Sequence, residues 1–170
     1  MCIRDRYGIG VANGEVVVVD GTDDEVYRYD YDGTYQGKWA LHADNGSPTG
    51  IAEANGEVLV LDSDDEEVYR YDYDGTYISK WALDSNNTNP QGIADVNGEV
   101  VVVDLIGDEV YRYSYAGAYL GKWALNSDNG SPLGITEANG EVLVVDLTDC
   151  LLYTSPSPRD RTRSRMPSSA

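Results

Sequence analysis

Residues 50–62 of this 170-residue chain read GIAEANGEVLVLD, and no other stretch says as much about its architecture. At its centre, Asn55-Gly56 is the dipeptide preferred in two-residue type I′ turns, because both turn residues must adopt positive φ. The segment from Glu57 to Asp62 contains the continuous apolar stretch VLVL, which is typical of a strand that is covered on both faces. We therefore predict a β-hairpin whose short first strand occupies 50–54.

The same stretch returns along the chain at a constant interval. Equivalent segments begin at Gly8, Gly50, Gly92 and Gly134, so the period is 42 residues. A period of about 20–50 residues indicates a repeat protein, in which each unit buries its apolar faces against the next unit. The period therefore predicts the architecture, but it carries no information about a ligand.

The rest of each repeat predicts two further strands. In the second repeat, a polar turn at 63–66 precedes a strand over 68–73 in which tyrosines alternate with other residues. Asp74-Gly75 is predicted to form another type I′ turn before a last strand over 76–83. Four strands joined by tight turns describe an antiparallel meander, and meanders stacked radially form a β-propeller.

A β-solenoid is the alternative architecture, although its coils are usually shorter and lack a hairpin at every strand junction. No segment has a helical period, which excludes helical repeats. We predict an all-β fold over 7–149, built of four-stranded antiparallel blades in an incomplete ring of about three and a half blades. The predicted blades are 8–49, 50–91 and 92–133, with a partial blade at 134–149.

The two ends of the chain share nothing with the repeat. Residues 1–6 (MCIRDR) and 150–170 (CLLYTSPSPRDRTRSRMPSSA) resemble translated sequencing-library adapter. We therefore expect both segments to be foreign to the natural protein, and 150–170 to be disordered. Both cysteines, Cys2 and Cys150, lie in these segments, so no disulfide or thiol chemistry is expected.

The repeats are strongly acidic. The whole chain has 12 basic and 30 acidic side chains, and its ends contain six of the arginines and two of the aspartates. Residues 7–149 therefore carry six basic and 28 acidic side chains, a net charge of −22. Nucleic-acid binding needs a basic face, so this charge argues against a nucleic-acid partner. No apolar run approaches the roughly 20 residues of a membrane span.

The six basic side chains of 7–149 recur in equivalent places in each repeat. We expect them to pair with nearby carboxylates, each pair contributing about 0–1 kcal/mol when it is exposed. They are Arg28, Lys38, Arg70, Lys80, Arg112 and Lys122.

Aromatic residues also repeat with the period. The alternative interpretations are packing between blades and a platform on which carbohydrate stacks. Strict alternation along the third strand favours packing, because inward residues of a strand alternate in this way. The set in the second repeat is Tyr69, Tyr71, Tyr73, Tyr77 and Trp81.

The second repeat resembles an NHL-type propeller repeat, and the pattern recurs from Pro90 and Pro132. The matching residues are Pro48, Thr49, Gly50, Ile51, Ala52, Asn55, Gly56, Glu57, Val58, Val60, Asp62, Val68, Tyr71 and Gly75. Acidic residues replace the usual Asn-x-Arg after the second-strand Asp, and the last-strand tryptophans resemble those of quinoprotein-type propellers. NHL propellers typically have six blades, so the resemblance implies a fragment of a larger ring.

Candidate catalytic residues are absent from the sequence. Nucleophilic catalysis needs a base, and His42 is the only histidine; it lies in a connecting loop whose next copies have Asp84 and Asn126. Zinc and copper sites normally need His or Cys, and 7–149 contains no cysteine. We predict neither a catalytic nor a cofactor-binding site, and we interpret His42 as a surface residue.

Two acidic groups are weak candidates for a metal. The turn after the second strand contains Asp62, Asp64 and Asp65, and such turns share a rim with the loops that connect blades. Hard oxygen ligands in flexible loops suit Ca²⁺. The alternative is a solvated acidic rim in a salt-adapted (halophilic) organism, where surplus acidic charge keeps a protein soluble.

The second group has one carboxylate on each inner strand: Glu53, Asp95 and Glu137. They are expected near the central tunnel, where they form a partial ring around a cation or simply face solvent. Val11 and Ala12 interrupt the ring in the first repeat.

The resemblance implies a binding or scaffold module, extracellular or at the cell surface, with protein or glycan partners at the loop rim. Some six-bladed relatives are instead lyases or lactonases, which would place the catalytic residues in blades outside these repeats. Near-identical repeats favour the scaffold, because a catalytic centre needs blades that differ. We also expect self-association through open blade edges, because a propeller avoids such edges by closing.

Overall fold

The computed structural model describes residues 6–147 and, for the backbone alone, residues 152–156. The described residues form fifteen strands and no helix. The first sheet contains β1 (Arg6–Ala12), β2 (Glu15–Asp20), β3 (Glu25–Tyr29) and β4 (Tyr35–Ala40). The second contains β5 (Pro48–Ala54), β6 (Glu57–Asp62), β7 (Glu67–Tyr71) and β8 (Tyr77–Ala82). The third contains β9 (Pro90–Val96), β10 (Glu99–Asp104), β11 (Glu109–Tyr113) and β12 (Tyr119–Ala124). The fourth contains β13 (Pro132–Ala138), β14 (Glu141–Asp146) and β15 (Leu152–Pro156).

Each sheet is an antiparallel meander. Its strands are hydrogen-bonded in chain order, and the innermost strands β1, β5, β9 and β13 lie side by side along the arc. This arrangement confirms the predicted all-β fold of four-stranded blades. The first strand of each blade begins two residues before the predicted glycine, at a proline in blades two to four.

The Asn-Gly turns have the predicted conformation. Asn55 and Gly56 have φ of 52° and 79°, and the equivalent pairs of the other repeats are similar. Both residues of a type I′ turn need positive φ, and Asn tolerates this region better than other side chains.

The Asp-Gly turns differ from the prediction. Gly75 has φ of 90°, whereas Asp74 has no positive φ, so the turn is not type I′. The ladder ends at Tyr71, and the Asp72 carboxylate accepts the Thr76 N–H at 2.8 Å. An aspartate that bonds to nearby backbone competes with the strand ladder, which explains the longer loop and the shorter strand.

The repeated glycine before the inner-strand isoleucine allows neighbouring blades to approach closely. A Cβ on Gly92 would lie 2.8 Å from Leu133 O, and one on Gly50 would lie 3.0 Å from Ile93 Cγ2. Inner strands converge toward the axis of a propeller, so the smallest side chain is needed where they meet. This geometry accounts for the Gly-Ile pair at the start of each repeat.

Blades pack face to face through apolar side chains. Between the first two blades, Val19 and Val26 belong to the same buried cluster as Ile51 and Tyr71 of the next blade. The Trp39 and Tyr71 ring centroids are 4.9 Å apart, and the Trp81 and Tyr113 centroids 5.2 Å. Tyr71 and Tyr113 are therefore core residues, as predicted, whereas in the first blade Tyr29 is only partly buried and Tyr31 is 70% exposed, so the packing prediction is wrong for Tyr31.

β15 falls where we expected disorder. Its backbone pairs with β14 in the register of a third strand: Val144 lies opposite Tyr153, as Val60 lies opposite Tyr69. The prediction of disorder is wrong for 152–156, because the edge of β14 presents backbone N–H and C=O groups that an added strand satisfies. The adapter origin of 1–6 and 150–170 stays a prediction, since most of both segments lies outside the described residues.

No helix in the described part of the chain is long and apolar enough to cross a membrane.

Candidate functional site

One edge of the arc is an acidic rim, which we define as the turns between the second and third strands together with the loops that connect blades. The Ser47 N–H donates to Asp62 Oδ2 at 3.1 Å, and the Ser47 hydroxyl donates to Asp64 Oδ2 at 2.7 Å. The Ser63 N–H donates to the Ser47 carbonyl at 3.1 Å. Turn and loop are therefore tied together, as predicted for a shared rim.

Asp62 is buried at this rim and organises its turn. Its Oδ1 accepts the N–H groups of Asp64 and Asp65 at 2.9 and 3.0 Å, while Oδ2 accepts the Ser47 N–H. The side chain is 1% exposed. Three backbone donors therefore occupy its two oxygens, which makes Asp62 a cap for the turn.

The neighbouring candidates also have protein partners. Asp64 accepts the Ser47 hydroxyl, and Asp65 Oδ2 accepts the Tyr69 hydroxyl at 3.3 Å. Within the described residues, no group of three or more His, Cys, Asp or Glu side chains is arranged to hold a metal ion. The calcium hypothesis for Asp62, Asp64 and Asp65 stays a prediction.

Carboxylates of adjacent blades influence one another at the rim. Burial, followed by the charges of Asp62, Asp20 and Asp23, raises the pKa of Asp24 above its usual range. Asp62 belongs to the next blade along the chain, so at this boundary the charge of one blade raises the pKa of a carboxyl on its neighbour.

The inner-strand carboxylates lie on the concave side of the arc, as expected. Glu53, Asp95 and Glu137 line a groove of about 530 Å³ together with the inner-strand isoleucines. They lie beside the Asn-Gly turns, at the opposite end of the inner strands from the acidic rim. Val11 occupies the equivalent place in the first blade and lines the same groove.

These carboxylates are hydrogen-bonded within the protein. Glu53 accepts the Tyr73 hydroxyl at 2.7 Å and the Asn13 N–H of the preceding blade at 2.8 Å. Asp95 accepts the Tyr115 hydroxyl at 2.5 Å, and burial together with this bond raises the pKa of Tyr115 to about 12.

The third inner carboxylate has a backbone partner. Glu137 accepts the Gly140 N–H at 2.5 Å. The structure thus brings Glu53, Asp95 and Glu137 to one groove, and a metal role for them stays a prediction.

Every basic side chain of 7–149 is paired with a glutamate of its own blade, as predicted. The Arg28 guanidinium donates to Glu15 at 2.6 Å, and this bond lowers the pKa of Glu15. Lys38 lies 2.5 Å from Glu25. The later repeats contain the equivalent pairs Arg70–Glu57, Lys80–Glu67, Arg112–Glu99 and Lys122–Glu109.

The rim contains an aromatic contact that sequence reasoning missed. The His42 ring lies 4.3 Å from the Tyr77 ring of the next blade, and its Nδ1 lies 3.7 Å from Asp44 Oδ2. Tyr77 is 36% exposed, and Tyr35 and Tyr119 at the equivalent positions are also exposed. The packing prediction is therefore wrong for the first tyrosine of each outer strand.

Sequence reasoning also missed a buried asparagine in each connecting loop. The Asn45 side-chain amide donates to the Tyr71 hydroxyl at 3.3 Å, and Asn87 donates to Tyr113 in the same way. Both side chains are almost fully buried. Asn45, Asn87 and Asn129 are spaced 42 residues apart in loops that otherwise differ. This spacing could have predicted a structural role for the asparagine.

Comparison with known proteins rests on structure alone. No known family model matches the sequence, and no curated protein matches it. Virginiamycin B lyase from Staphylococcus aureus, in a catalytically inactive form with quinupristin, superposes with a TM-score of 0.62 at 17% identity. Glutaminyl cyclase from Myxococcus xanthus gives 0.71 at 12%, and BamB from Moraxella catarrhalis gives 0.58 at 13%.

These matches cover most of this chain but only part of each neighbour. The lyase match covers 91% of this chain and 56% of the lyase chain, the cyclase match 89% and 65%, and the BamB match 83% and 41%. The chain therefore spans about half the length of these structures. Its repeated four-stranded antiparallel sheets and these neighbours define it as a β-propeller protein. The NHL type stays a prediction.

Proposed function

We propose that the chain is a binding or scaffold module that engages a protein or a glycan through its acidic rim. One observation supports this most: the loops of the rim differ between repeats, whereas the third strands that support them do not. The third strands β3, β7 and β11 are identical, each reading EVYRY, whereas the connecting loops read HADNGSP, DSNNTNP and NSDNGSP at 42–48, 84–90 and 126–132. Binding residues are commonly placed on loops that a rigid scaffold positions.

The chemistry of the rim suggests two classes of partner. A surplus of acidic charge attracts cationic peptide segments of a protein and raises their association rate. A half-exposed aromatic ring such as Tyr77, next to the polar atoms of His42 and Asp44, also suits the apolar face of a sugar. We further propose an extracellular or cell-surface location and a salt-adapted source, in line with the acidic surface.

An exchange of rim residues tests the proposal. The first and third connecting loops differ only at their first two residues within 42–47 and 126–131. The double variant His42→Asn, Ala43→Ser therefore removes the His42–Tyr77 contact but keeps a loop sequence that the protein already folds. Binding is measured on an array of neutral glycans and an array of cationic peptides. We expect a binder whose signal falls in this variant.

The matched control introduces the His-Ala pair of the first connecting loop into the third. Asn126→His, Ser127→Ala makes the reverse exchange in the third loop and should leave binding at the first loop intact. The proposal is contradicted if neither array contains a binder. It is also contradicted if the binding signal is the same in both double variants as in the unaltered chain.

A second candidate function is a propeller enzyme of the lyase type, and the structural likeness to virginiamycin B lyase favours it. Under this alternative the catalytic residues lie in blades outside the 7–149 repeats. Incubation of quinupristin with a longer protein that contains both these repeats and those further blades, followed by mass spectrometry, distinguishes the two. The binding-module proposal predicts unchanged compound, whereas conversion favours the enzyme.

A further inference from the structure

Four hairpin turns of the chain have the same sequence but different surroundings. Residues 13–16, 55–58, 97–100 and 139–142 all read Asn-Gly-Glu-Val. Each Asn-Gly pair is exposed, and both of its residues have positive φ. A difference in chemical reactivity between these turns therefore comes from the structure around them and not from the residues of the turn.

An Asn-Gly pair carries a nucleophile and an electrophile next to each other. The glycine nitrogen attacks the asparagine Cγ, loses its proton to solvent and forms a new C–N bond, and the side-chain nitrogen gains a proton and leaves as ammonia. Water then opens the succinimide ring at either carbonyl, which gives aspartate or isoaspartate. Glycine has no side chain to shield its nitrogen. The peptide must rotate before the attack, so a bond that holds the glycine N–H slows the reaction.

A carboxylate holds the glycine N–H in the third and fourth turns. The Gly98 N–H donates to Asp95 Oδ1 at 3.2 Å, and the Gly140 N–H donates to Glu137 Oε1 at 2.5 Å. The negative charge of the carboxylate also opposes loss of the N–H proton, because a like charge nearby disfavours ionisation. Both turns are therefore protected against ring closure.

The second turn lacks this protection. Its equivalent carboxylate, Glu53, accepts the Tyr73 hydroxyl on Oε1 at 2.7 Å and the Asn13 N–H of the preceding blade on Oε2 at 2.8 Å. No side chain of the described residues accepts the Gly56 N–H. A Cβ on Gly56 would meet nothing within 4 Å, so the turn also has room to rotate.

We propose that Asn55 is a site of self-modification, which converts through a succinimide to aspartate and isoaspartate faster than Asn97 or Asn139. Isoaspartate routes the main chain through its β-carbon, so the two-residue turn loses its type I′ geometry. Either product adds a negative charge to a turn that Glu53 and Glu57 flank. The proposal is independent of what the acidic rim binds, because the rim lies at the opposite end of the inner strands.

A connecting loop contains an internal reference. Asn45-Gly46 is also an Asn-Gly pair, but the Asn45 side chain is 1% exposed and its amide donates to the Tyr71 hydroxyl at 3.3 Å. Burial and this bond hold the amide in place and exclude the water that completes the reaction. Asn45 should therefore keep its amide while Asn55 loses it.

Mass spectrometry of the full chain measures the order of reaction. The folded protein is incubated at mildly alkaline pH, digested with trypsin and analysed by tandem mass spectrometry. Trypsin places Asn45 and Asn55 in peptide 39–70 and Asn97 in peptide 81–112. We expect Asn55 to react several-fold faster than Asn97 and Asn45 to stay intact. Equal rates at Asn55 and Asn97, or a faster rate at Asn97, overturn the proposal.

The unfolded chain is the control for local sequence. In concentrated guanidinium, Asn55 and Asn97 lie in the same tetrapeptide without folded neighbours, so their rates should become similar. A several-fold difference that persists in the unfolded chain would assign the effect to the preceding residue, Ala54 or Val96, and would overturn the structural explanation.

A substitution at the protecting carboxylate tests the bond itself. Asp95→Val introduces the residue that the first blade has at the equivalent position and removes the acceptor of the Gly98 N–H. The Asn97 rate should rise several-fold, to that of Asn55. Circular dichroism with thermal unfolding checks that the variant folds, and an unchanged Asn97 rate in the folded variant contradicts the protecting role of Asp95.

Glu53→Val is the matched control one blade earlier. It makes the same kind of change at a carboxylate that does not hold the turn glycine, so the Asn55 rate should stay the same. A faster reaction at Asn55 in this variant would mean that Glu53 already protects the second turn, which overturns the proposed difference between the two blades.

Discussion

At the scale of single residues, the acidic side chains of the rim differ in their effect on stability. Asp62 is buried and accepts three backbone N–H groups, so it holds a turn together. Asp24 lies close to other carboxylates, and burial together with those charges raises its pKa. Asp62 therefore stabilises its turn through hydrogen bonds, whereas Asp24 is more stable in the fold when it is neutral.

Asp24→Asn should stabilise the protein at neutral pH. A folded-state pKa that is raised above the unfolded value of about 3.9 means that stability is full below that value and falls as the pH rises through the folded pKa. Asn cannot ionise, so the variant avoids this loss. Urea unfolding at pH 3 and pH 7 should show a larger gain at pH 7.

The pH comparison also serves as the control for backbone conformation. Asp24 has φ of 52°, a region that Asn tolerates well, and this preference acts equally at both pH values. A gain of the same size at pH 3 and pH 7 would show that conformation alone, and no charge repulsion, is responsible.

At the scale of strands and turns, the loop between the third and fourth strands connects one blade to another. Gly75 has φ of 90°, and a Cβ there would overlap the Trp39 indole of the preceding blade. Gly33 occupies the same place in the first blade with φ of 87°, and a Cβ there would meet nothing within 4 Å. The two glycines have the same conformation but differ in their contact with a neighbouring blade.

Gly75→Ala should destabilise the protein more than Gly33→Ala. Both variants force alanine into the left-handed region at a cost of about 1–2 kcal/mol. Gly75→Ala also displaces Trp39, which adds about 1–3 kcal/mol of overpacking. Guanidinium unfolding of both variants measures the difference, and equal losses would mean that the indole moves aside freely.

The turns also show what local sequence can and cannot predict. Asn55-Gly56 was predictable because its conformation follows from the two residues themselves. Asp74-Gly75 was predicted wrongly, because Asp72 ends the ladder early and the Trp39 indole fills the space beside Gly75. A tertiary contact 36 positions away in the sequence is invisible to a local pattern.

At the scale of the whole molecule, acidic side chains far outnumber basic ones. The six basic side chains of 7–149 are paired with six glutamates, which leaves a surplus of 22 negative charges on the repeats. Exposed ion pairs contribute about 0–1 kcal/mol each to stability, so weakening them with salt destabilises the protein only slightly. Repulsion among the surplus charges is relieved by the same screening.

The melting temperature should therefore rise with salt. Raising NaCl from 0.1 M to 1 M shortens the screening length from about 10 Å to about 3 Å. For a domain of this size each kcal/mol gained raises the melting temperature by about 2–4 °C. Calorimetry in NaCl and in KCl should show similar increases.

Calcium provides the contrasting condition. A rise of equal size at micromolar Ca²⁺, abolished by a chelator, would mean that specific ion binding and not screening stabilises the rim. A melting temperature indifferent to salt would contradict the charge argument itself.

The sequence predicted the positions of the inner-strand carboxylates but not their hydrogen-bond partners. The 42-residue period placed Glu53, Asp95 and Glu137 on inner strands, because the period alone sets their position in a blade. Their partners Tyr73 and Tyr115 lie just after the third strand of the same blade, and a hydrogen bond between residues 20 positions apart leaves no local pattern.

Neighbouring blades meet through similar contacts, and this similarity has an evolutionary consequence. Trp39 meets Tyr71 at one boundary and Trp81 meets Tyr113 at the next, with nearly the same geometry. The first three blades therefore meet through equivalent contacts. Duplication or loss of a whole unit by unequal recombination creates no contact that the molecule does not already contain, and a gene of this kind can change its number of units without passing through a misfolded ancestor.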